Sequence, residues 1–177
     1  MTSGRWLILC LLLLAPWLQA QSVHVHGQGE LQVSSQGDQL GVLLTLPAMD
    51  VVGFEHAPSS AAQQAAVSQA AEKLGNPQSI MIADAAAACV VQSVKVDSAL
   101  LVPHEKAHSH DHGHDHADFT VEYQFSCGKP QLLTQLKLLL FQWLPELQLR
   151  TQMVTEHGAQ VTTLHRDSSV LLLPSAP

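Results

Sequence analysis

Apolar and polar residues alternate along several stretches of this chain, which is typical of strands that bury one face of a sheet. The clearest run, Leu40–Leu46, places leucine or valine at every second position. Together with Leu31–Ser34 it predicts a hairpin whose turn contains Ser35–Asp38. Further strands are expected near the carboxyl end, over Leu147–Met153, Gln160–Arg166 and Val170–Leu173.

A second pair of antiparallel strands is predicted over Val90–Asp97 and Phe119–Cys127, with a long connection between them. The cysteines and the apolar residues of these two strands demand different registers. Placing Cys89 opposite Cys127 sets polar residues of the first strand against the apolar face of the second, whereas its valines fit better one residue over. A β-bulge would satisfy both demands, and a disulfide outside the ladder is the alternative.

Helical periodicity predicts two helices. Pro58–Leu74 carries alanines at i,i+4 spacing and ends before Gly75. Gln131–Leu144 is apolar around most of its circumference and is stopped by Pro145. We interpret it as a core helix, with a surface that docks a partner or a membrane as the alternative. The expected fold class is α+β: a mainly antiparallel sheet with two helices packed on one face and a long histidine-rich loop between two strands.

Residues 1–20 predict a cleaved secretory signal peptide. Arg5 precedes an apolar run, Trp6–Ala15, that is too short to span a bilayer, and Ala20 is a small residue suited to cleavage. We expect residues 21–177 to form one domain outside the cytoplasm, with no stable membrane insertion after cleavage. The formal net charge of −7 disfavours nucleic acid as a partner.

Two cysteines, Cys89 and Cys127, lie in the predicted domain. In an exported protein a disulfide is the default expectation, and thiolate metal ligands are the alternative. Residue 108 lies midway between the two cysteines and is the first of several histidines at alternate positions. A disulfide would therefore tie the base of an excursion that carries these histidines.

The segment His104–Asp118 reads HEKAHSHDHGHDHAD and holds six of the eleven histidines. Five of them fall at every second position, so in an extended chain they project to one side, and in a helix they form i,i+4 pairs. Neutral imidazole binds Zn²⁺, Ni²⁺ or Cu²⁺, and adjacent carboxylates attract cations. We expect a flexible metal-binding loop here, with a solvated polar loop as the alternative. The candidate ligands are His104, His108, His110, His112, His114, His116, Asp111 and Asp115.

Three other histidines could form a fixed metal site. His24 and His26 make an H-x-H pair at the opening of the predicted domain, and His56 follows an acidic residue in the loop before the first helix. An unpaired N-terminal arm and a hydrogen-bonded loop histidine are the alternative. His157 and His165 flank the last predicted hairpin and are expected to be ordinary surface residues.

The chain contains no G-x-S-x-G motif, no phosphate-binding glycine loop and no C-x-x-C motif, and we expect no enzyme activity. Four features together resemble the ZrgA-type periplasmic zinc-uptake proteins: His24-x-His26-Gly27, Gly53-Phe54-Glu55-His56-Ala57-Pro58, the strands at Cys89 and Cys127, and the internal histidine-rich loop. The resemblance implies a periplasmic zinc-binding component that works with an ABC-type zinc importer. It also implies that His24, His26, His56 and the loop histidines are ligands.

These observations predict that the protein captures Zn²⁺ with the histidine-rich loop and passes it to a zinc import system. A nickel or copper chaperone or buffer would use the same residues. An interaction protein that docks a partner on residues 132–144, with the histidine loop incidental, is the alternative from another class.

Overall fold

The computed structural model describes residues 26–102 and 117–174. Its strands are β1 (Gln28–Gln36), β2 (Gln39–Pro47), β3 (Met81–Ala83), β4 (Cys89–Asp97), β5 (Asp118–Cys127), β6 (Gln135–Leu138), β7 (Gln148–Thr155), β8 (Gly158–Leu164) and β9 (Val170–Leu172). Its α-helices are α1 (Ala48–Val52), α2 (Ala61–Leu74) and α3 (Pro77–Ile80), and single 3₁₀ turns lie at Ala85–Ala87, Ala99–Leu101, Pro130–Leu132 and Leu140–Gln142. None of the helices in this part of the chain has the length and hydropathy that a membrane span requires.

Two sheets form the framework. The large sheet has the strand order β4-β5-β2-β1-β7-β8, and the small sheet has the order β3-β6-β9. In the large sheet β1 and β7 run parallel, whereas the other neighbouring strands are antiparallel. Two parallel strands cannot be joined by a tight turn. The long connection from β1 to β7 accordingly contains β2 to β6 and all three helices.

The large sheet buries one of its faces. Alternate residues of β1, β2, β5 and β7 enter one continuous core, to which α2 and the small sheet also contribute. Val67, Ala70 and Leu74 are the buried residues of α2. Because side chains alternate between the two faces, a slip of one residue would expose a strand's whole apolar set. The core therefore fixes the register of each of these strands.

Several sequence predictions are confirmed. β1 and β2 form the first hairpin, with the pair Gln36↔Gln39 closing a turn at Gly37. The helix predicted over Pro58–Leu74 is α2. It starts slightly later than predicted, at Ala61, because the Ser60 side chain accepts a hydrogen bond from the Gln63 N–H and so caps it. β7, β8 and β9 correspond to the three strands predicted near the carboxyl end.

The phase conflict between β4 and β5 is resolved by a β-bulge. Cys89 lies opposite Cys127 and the two form a disulfide, which excludes the thiolate-ligand alternative for this pair. The register shifts between Val91 and Ser93, so that Val94 then lies opposite the buried Tyr123. One extra residue in β4 therefore lets the disulfide and the apolar contacts form in the same ladder.

The prediction of a second helix over Gln131–Leu144 is wrong, and so is the predicted α+β fold class with two helices packed on the sheet. The segment contains a 3₁₀ turn, β6 and a second 3₁₀ turn, so the protein is mostly β. Leucine favours helix, but this preference is weak, and pairing of β6 with both β3 and β9 outweighs it. In β6 the buried residues are Leu136 and Leu138, which alternate with exposed polar residues.

The absence of a helix over residues 132–144 also removes the apolar helix face that the partner-docking alternative needs. Leu133, Leu140, Phe141 and Leu144 are buried in the core together with the leucines of β6. Leu132 is exposed, but it lies in a 3₁₀ turn at the start of the segment. The segment therefore offers no apolar helix face on which a partner could dock.

Tyr123 of β5 connects the large sheet to the end of α2. Its side chain is fully buried, and its hydroxyl donates a hydrogen bond of 2.7 Å to the carbonyl oxygen of Leu74. Burial raises the pKa of Tyr123, so the hydroxyl keeps its proton at neutral pH. The last carbonyls of a helix lack partners within the helix, and this bond supplies one in the core.

Replacing Tyr123 by phenylalanine should lower the free energy of unfolding by about 1–3 kcal/mol, because the buried Leu74 carbonyl would lose its partner. Urea denaturation followed by circular dichroism measures this loss. Ser68→Ala is the matched control, because Ser68 donates a 3.0 Å hydrogen bond to the Gln64 carbonyl at an exposed position of the same helix. We expect that change to cost less than about 0.5 kcal/mol. Equal effects of the two substitutions would contradict the importance of the buried bond.

Candidate metal-binding site

Several chain segments meet at one end of the large sheet, which we call the Pro47 end. β1 and β5 begin there, and β2 and β4 end there. The pairs Pro47↔Asp118 and Asp97↔Thr120 place the last residues of β2 and β4 level with the start of β5. Because the buried face fixes these registers, it also fixes which residues emerge together at this end of the sheet.

His26 is positioned by the glycine that follows it. Gly27 has a φ of +77°, a backbone conformation that other residues rarely adopt. Its N–H donates a 2.8 Å hydrogen bond to a carboxylate oxygen of Asp50, and its carbonyl accepts a 2.8 Å bond from the N–H of Gln148. These two bonds tie the entry of β1 to α1 on one side and to β7 on the other. His26 is thereby held beside the loop that follows α1.

Glu55 faces His26 across the Pro47 end. α1 ends at Gly53, which has a φ of +84° and redirects the chain into the segment that contains Glu55. One carboxylate oxygen of Glu55 lies 3.9 Å from Nδ1 of His26, and the two side chains are 16% and 60% exposed. A largely buried carboxylate beside an exposed imidazole attracts cations and can orient the ring for a metal. The pair therefore places two groups of the kinds that zinc binds next to each other.

His56 presents a ring nitrogen to solvent. Its Nδ1 lies 3.0 Å from the carbonyl oxygen of Ala57, and its ring stacks on Phe54 with 5.2 Å between centroids. A carbonyl only accepts hydrogen bonds, so Nδ1 carries the proton in this contact. In the neutral ring Nε2 then keeps its lone pair, which is the form that binds a metal. This contact therefore leaves Nε2, and not Nδ1, as the ring nitrogen that could bind a metal.

The described chain on either side of residues 103–116 also starts from the Pro47 end. We call these two flanking stretches, after β4 and before β5, the roots of the histidine-rich segment. The N–H of Ala48 donates a 2.9 Å hydrogen bond to the carbonyl of Ala117, directly after the last loop residue. On the other side, β4 is followed by Ser98, whose hydroxyl accepts from the N–H of the buried Leu100. Residue 117 therefore lies beside the start of α1, and the chain that leads to residue 102 departs from the end of β4, next to β5.

An acidic hollow of about 300 Å³ adjoins these roots. Its charged lining residues are Asp97, Asp118, Glu122 and Lys95. The Lys95 ammonium lies 3.8 Å from a carboxylate oxygen of Asp97 and 4.0 Å from one of Glu122. Three carboxylates against one ammonium leave the surroundings of the roots negative, which raises the local concentration of cations.

The described ranges, 26–102 and 117–174, contain by themselves no group of three or more histidine, cysteine, aspartate or glutamate side chains that could hold a metal. They bring His26 and Glu55 together and place His56 in the same loop as Glu55. The other predicted ligands lie outside these ranges: His24, His104, His108, His110, His112, His114, His116, Asp111 and Asp115. Both predicted ligand sets, fixed and loop, therefore stay predictions.

His157 and His165 are exposed, as expected for surface residues. His157 lies in the turn between β7 and β8, at the opposite end of the sheet from Pro47. His165 follows β8 and forms a bridge with Ser168, two strands away from β1. The described structure groups neither of them with His26 or His56.

Sequence reasoning missed two acidic residues of this region. Asp50 binds the backbone of Gly27, and Glu55 faces His26, although 29 positions separate these two residues (55 − 26). The adjacency of Glu55 to His56 was a visible signal for a polar site. Its contact with His26 depends on the hydrogen bond between the Gly27 N–H and Asp50 and on the turn at Gly53, which no local pattern reveals.

Comparison with known proteins identifies the family of this chain. The chain matches the family model described as ZrgA family zinc uptake protein over residues 23–173, which is nearly its whole length. The match spans both roots of the histidine-rich segment and the loop of His56. No curated protein matches the chain.

Replacing Glu55 by glutamine should weaken Zn²⁺ binding at neutral pH by about tenfold or more, because the carboxylate next to His26 is lost while the side-chain shape is kept. Competition with a chromophoric zinc chelator measures the affinity. Glu72→Gln is the matched control, because it removes the same charge from an exposed position of α2. Equal affinities of the two variants would show that Glu55 has no part in metal binding.

Proposed function

We propose that this chain, which belongs to the ZrgA family of zinc uptake proteins, captures Zn²⁺ in the periplasm and passes it to a zinc import system. The histidine-rich segment is the principal trap, and His26 and His56 with His24 supply a second, better-defined set of ligands. The partner is an ABC-type zinc importer or its periplasmic subunit. The family's role in zinc uptake points to binding or transport rather than to catalysis.

The observation that carries the proposal is the convergence at the Pro47 end. The pair of His26 and Glu55 lies there, His56 directly follows Glu55 in the chain, and the strands on either side of residues 103–116 end and begin there. His26 and Ala117 are 91 positions apart in sequence, so the folded sheet is what brings these elements together. A zinc ion bound by the histidine-rich segment is then within reach of the ligands fixed on the sheet.

A large number of imidazoles suits capture and transfer. Zinc uses three or four protein ligands, so a segment with six histidines can exchange one coordination bond at a time. Imidazole binds metal only when it is unprotonated, and its ordinary pKa is about 6.5. Acidification should therefore release the zinc. The negative hollow at the roots of the segment favours arrival of the cation.

The compartment is supported by two observations. The disulfide between Cys89 and Cys127 fits an oxidising environment. The first twenty residues have the composition of a secretory signal peptide. Both fit a periplasmic protein that meets zinc before the import system does.

Two rivals use the same residues. A nickel or copper chaperone would bind through the same imidazoles, and competition between the three metals distinguishes it. Residues 104–108 also have the H-E-x-x-H spacing that, on a helix, binds zinc in metalloproteases. Here the motif runs directly into the alternating histidines, so the density of histidines accounts for the spacing. Peptidase activity that depends on Glu105 would contradict this interpretation.

Substitution of the loop histidines tests the proposal. The variant replaces the histidines at 108, 110, 112, 114 and 116 by asparagine. Substitution is preferable to deletion of the segment, because Ala117 and Asp118 belong to the fold and a deletion through them would disturb it. We expect zinc titration by calorimetry to show loss of most of the bound zinc, with an unchanged free energy of unfolding. The matched control is the double variant His157→Asn, His165→Asn, which should bind as much zinc as the original chain. Unchanged zinc stoichiometry in the loop variant would refute the histidine-rich segment as the trap.

A further inference from the structure

The two edges of the large sheet differ in their protection against pairing with another strand. β4, at one edge, contains a bulge, carries Lys95 and Asp97, and is fixed at its start by the disulfide. Bulges and charges of this kind are how sheet proteins block edge-to-edge pairing. β8, at the other edge, has seven residues without a charge, a proline or a bulge. Within the described residues no strand pairs with its outer side.

We propose that β8 is a dimerisation edge, at which two copies of this chain pair antiparallel around Val161. The two large sheets then become one continuous sheet across a twofold axis. This inference does not rest on zinc binding, because β7 lies between β8 and β1, whose entry carries His26.

The sequence of β8 is compatible with its own reverse. In a register centred on Val161, that residue faces its own copy, and Ala159 faces Thr163 of the second copy. Gln160 faces Thr162 in the same way. No like charges meet along the strand, and β-branched residues at the centre favour cross-strand packing.

Opposite charges stand near the two ends of the strand. Glu156 lies in the turn before β8 and Arg166 in the turn after it, each five positions from Val161, and both are exposed. Antiparallel pairing around Val161 therefore brings the end of one copy that carries Glu156 next to the end of the other that carries Arg166, once at each end of the interface. In the single chain the Glu156 carboxylate accepts a 3.0 Å hydrogen bond from the N–H of Gly37, in the turn between β1 and β2.

Apolar surface at this edge supplies a driving force. Val161 is 70% exposed and Val154 of β7 is 61% exposed. Val154 pairs with Ala159 and Gln152 with Val161, so the two valines and Ala159 lie on the same outer face. In the dimer the two copies of Val161 cover each other at the axis. The unpaired backbone groups along β8 gain hydrogen-bond partners at the same time.

Two lysine substitutions separate this interface from a general surface effect. Sedimentation velocity of the mature chain, with EDTA present to exclude metal bridging, should show a concentration-dependent dimer. Val161→Lys sets two like charges against each other at the axis and should abolish it. Val154→Lys adds the same charge to the same face of a strand that is already paired on both sides, and the dimer should persist. Circular dichroism should show both variants folded.

A cysteine at the axis tests the register. Val161→Cys should form a disulfide-linked dimer on mild oxidation more readily than Ala159→Cys or Thr163→Cys alone, and a mixture of the last two should cross-link. A monomer at all concentrations would overturn the proposal. So would a dimer that survives Val161→Lys, one that both lysine variants abolish equally, or cross-linking that favours Ala159→Cys alone. Because EDTA is present throughout, none of these outcomes bears on the zinc proposal.

Discussion

Burial of a single face of the large sheet is the constraint on which the rest of this structure depends. Alternate residues of β1, β2, β5 and β7 all enter the same core, so each strand has one register that keeps its apolar set out of water. Those registers decide which residues stand level with each other at the strand ends. The Pro47↔Asp118 pair and the neighbouring entry of β1 follow from core packing. The geometry of the candidate site is therefore a consequence of hydrophobic burial.

Because core packing sets this geometry, two parts of the chain share the proposed function: groups fixed at the sheet end, and the histidine-rich segment. The sheet end fixes a few polar groups, the pair of His26 and Glu55 and the ring of His56, whose tautomer is set by the Ala57 carbonyl. Those groups alone do not make a three-ligand cluster within the described residues. Further donors must come from elsewhere, and the chain supplies histidines in excess between two roots at the same sheet end. Fixed ligands favour a high affinity and a defined coordination geometry, whereas numerous ligands favour rapid capture and exchange of the metal.

The sequence predicted whatever depended on local pattern. Alternation in β2 and β5 identified strands, alanine spacing identified α2, and the phase conflict at Cys89 anticipated the bulge. The helix over residues 131–144 failed because leucine favours helix while pairing with β3 and β9 decides the outcome. At the site, histidines were found by residue type. The contact between His26 and Glu55 was not, because it depends on the hydrogen bond from the Gly27 N–H to Asp50 and on the turn at Gly53, which no local pattern reveals.

The two sheet edges differ in a way that is compatible with both proposals, a cargo site at one side of the molecule and self-association at the other. β4 lies next to β5, whose first residue adjoins the histidine-rich segment, so a foreign strand added there would crowd the roots of the segment. The bulge, Lys95 and Asp97 make such pairing unfavourable, and the carboxylates also contribute to the negative surroundings that a cation meets. Asp97 thus helps both to protect the edge and to make its surroundings negative. β8 is four strands away from β5, and no metal-binding demand acts on it. An uncharged, self-complementary strand can remain at that edge because pairing there leaves the Pro47 end accessible in both copies.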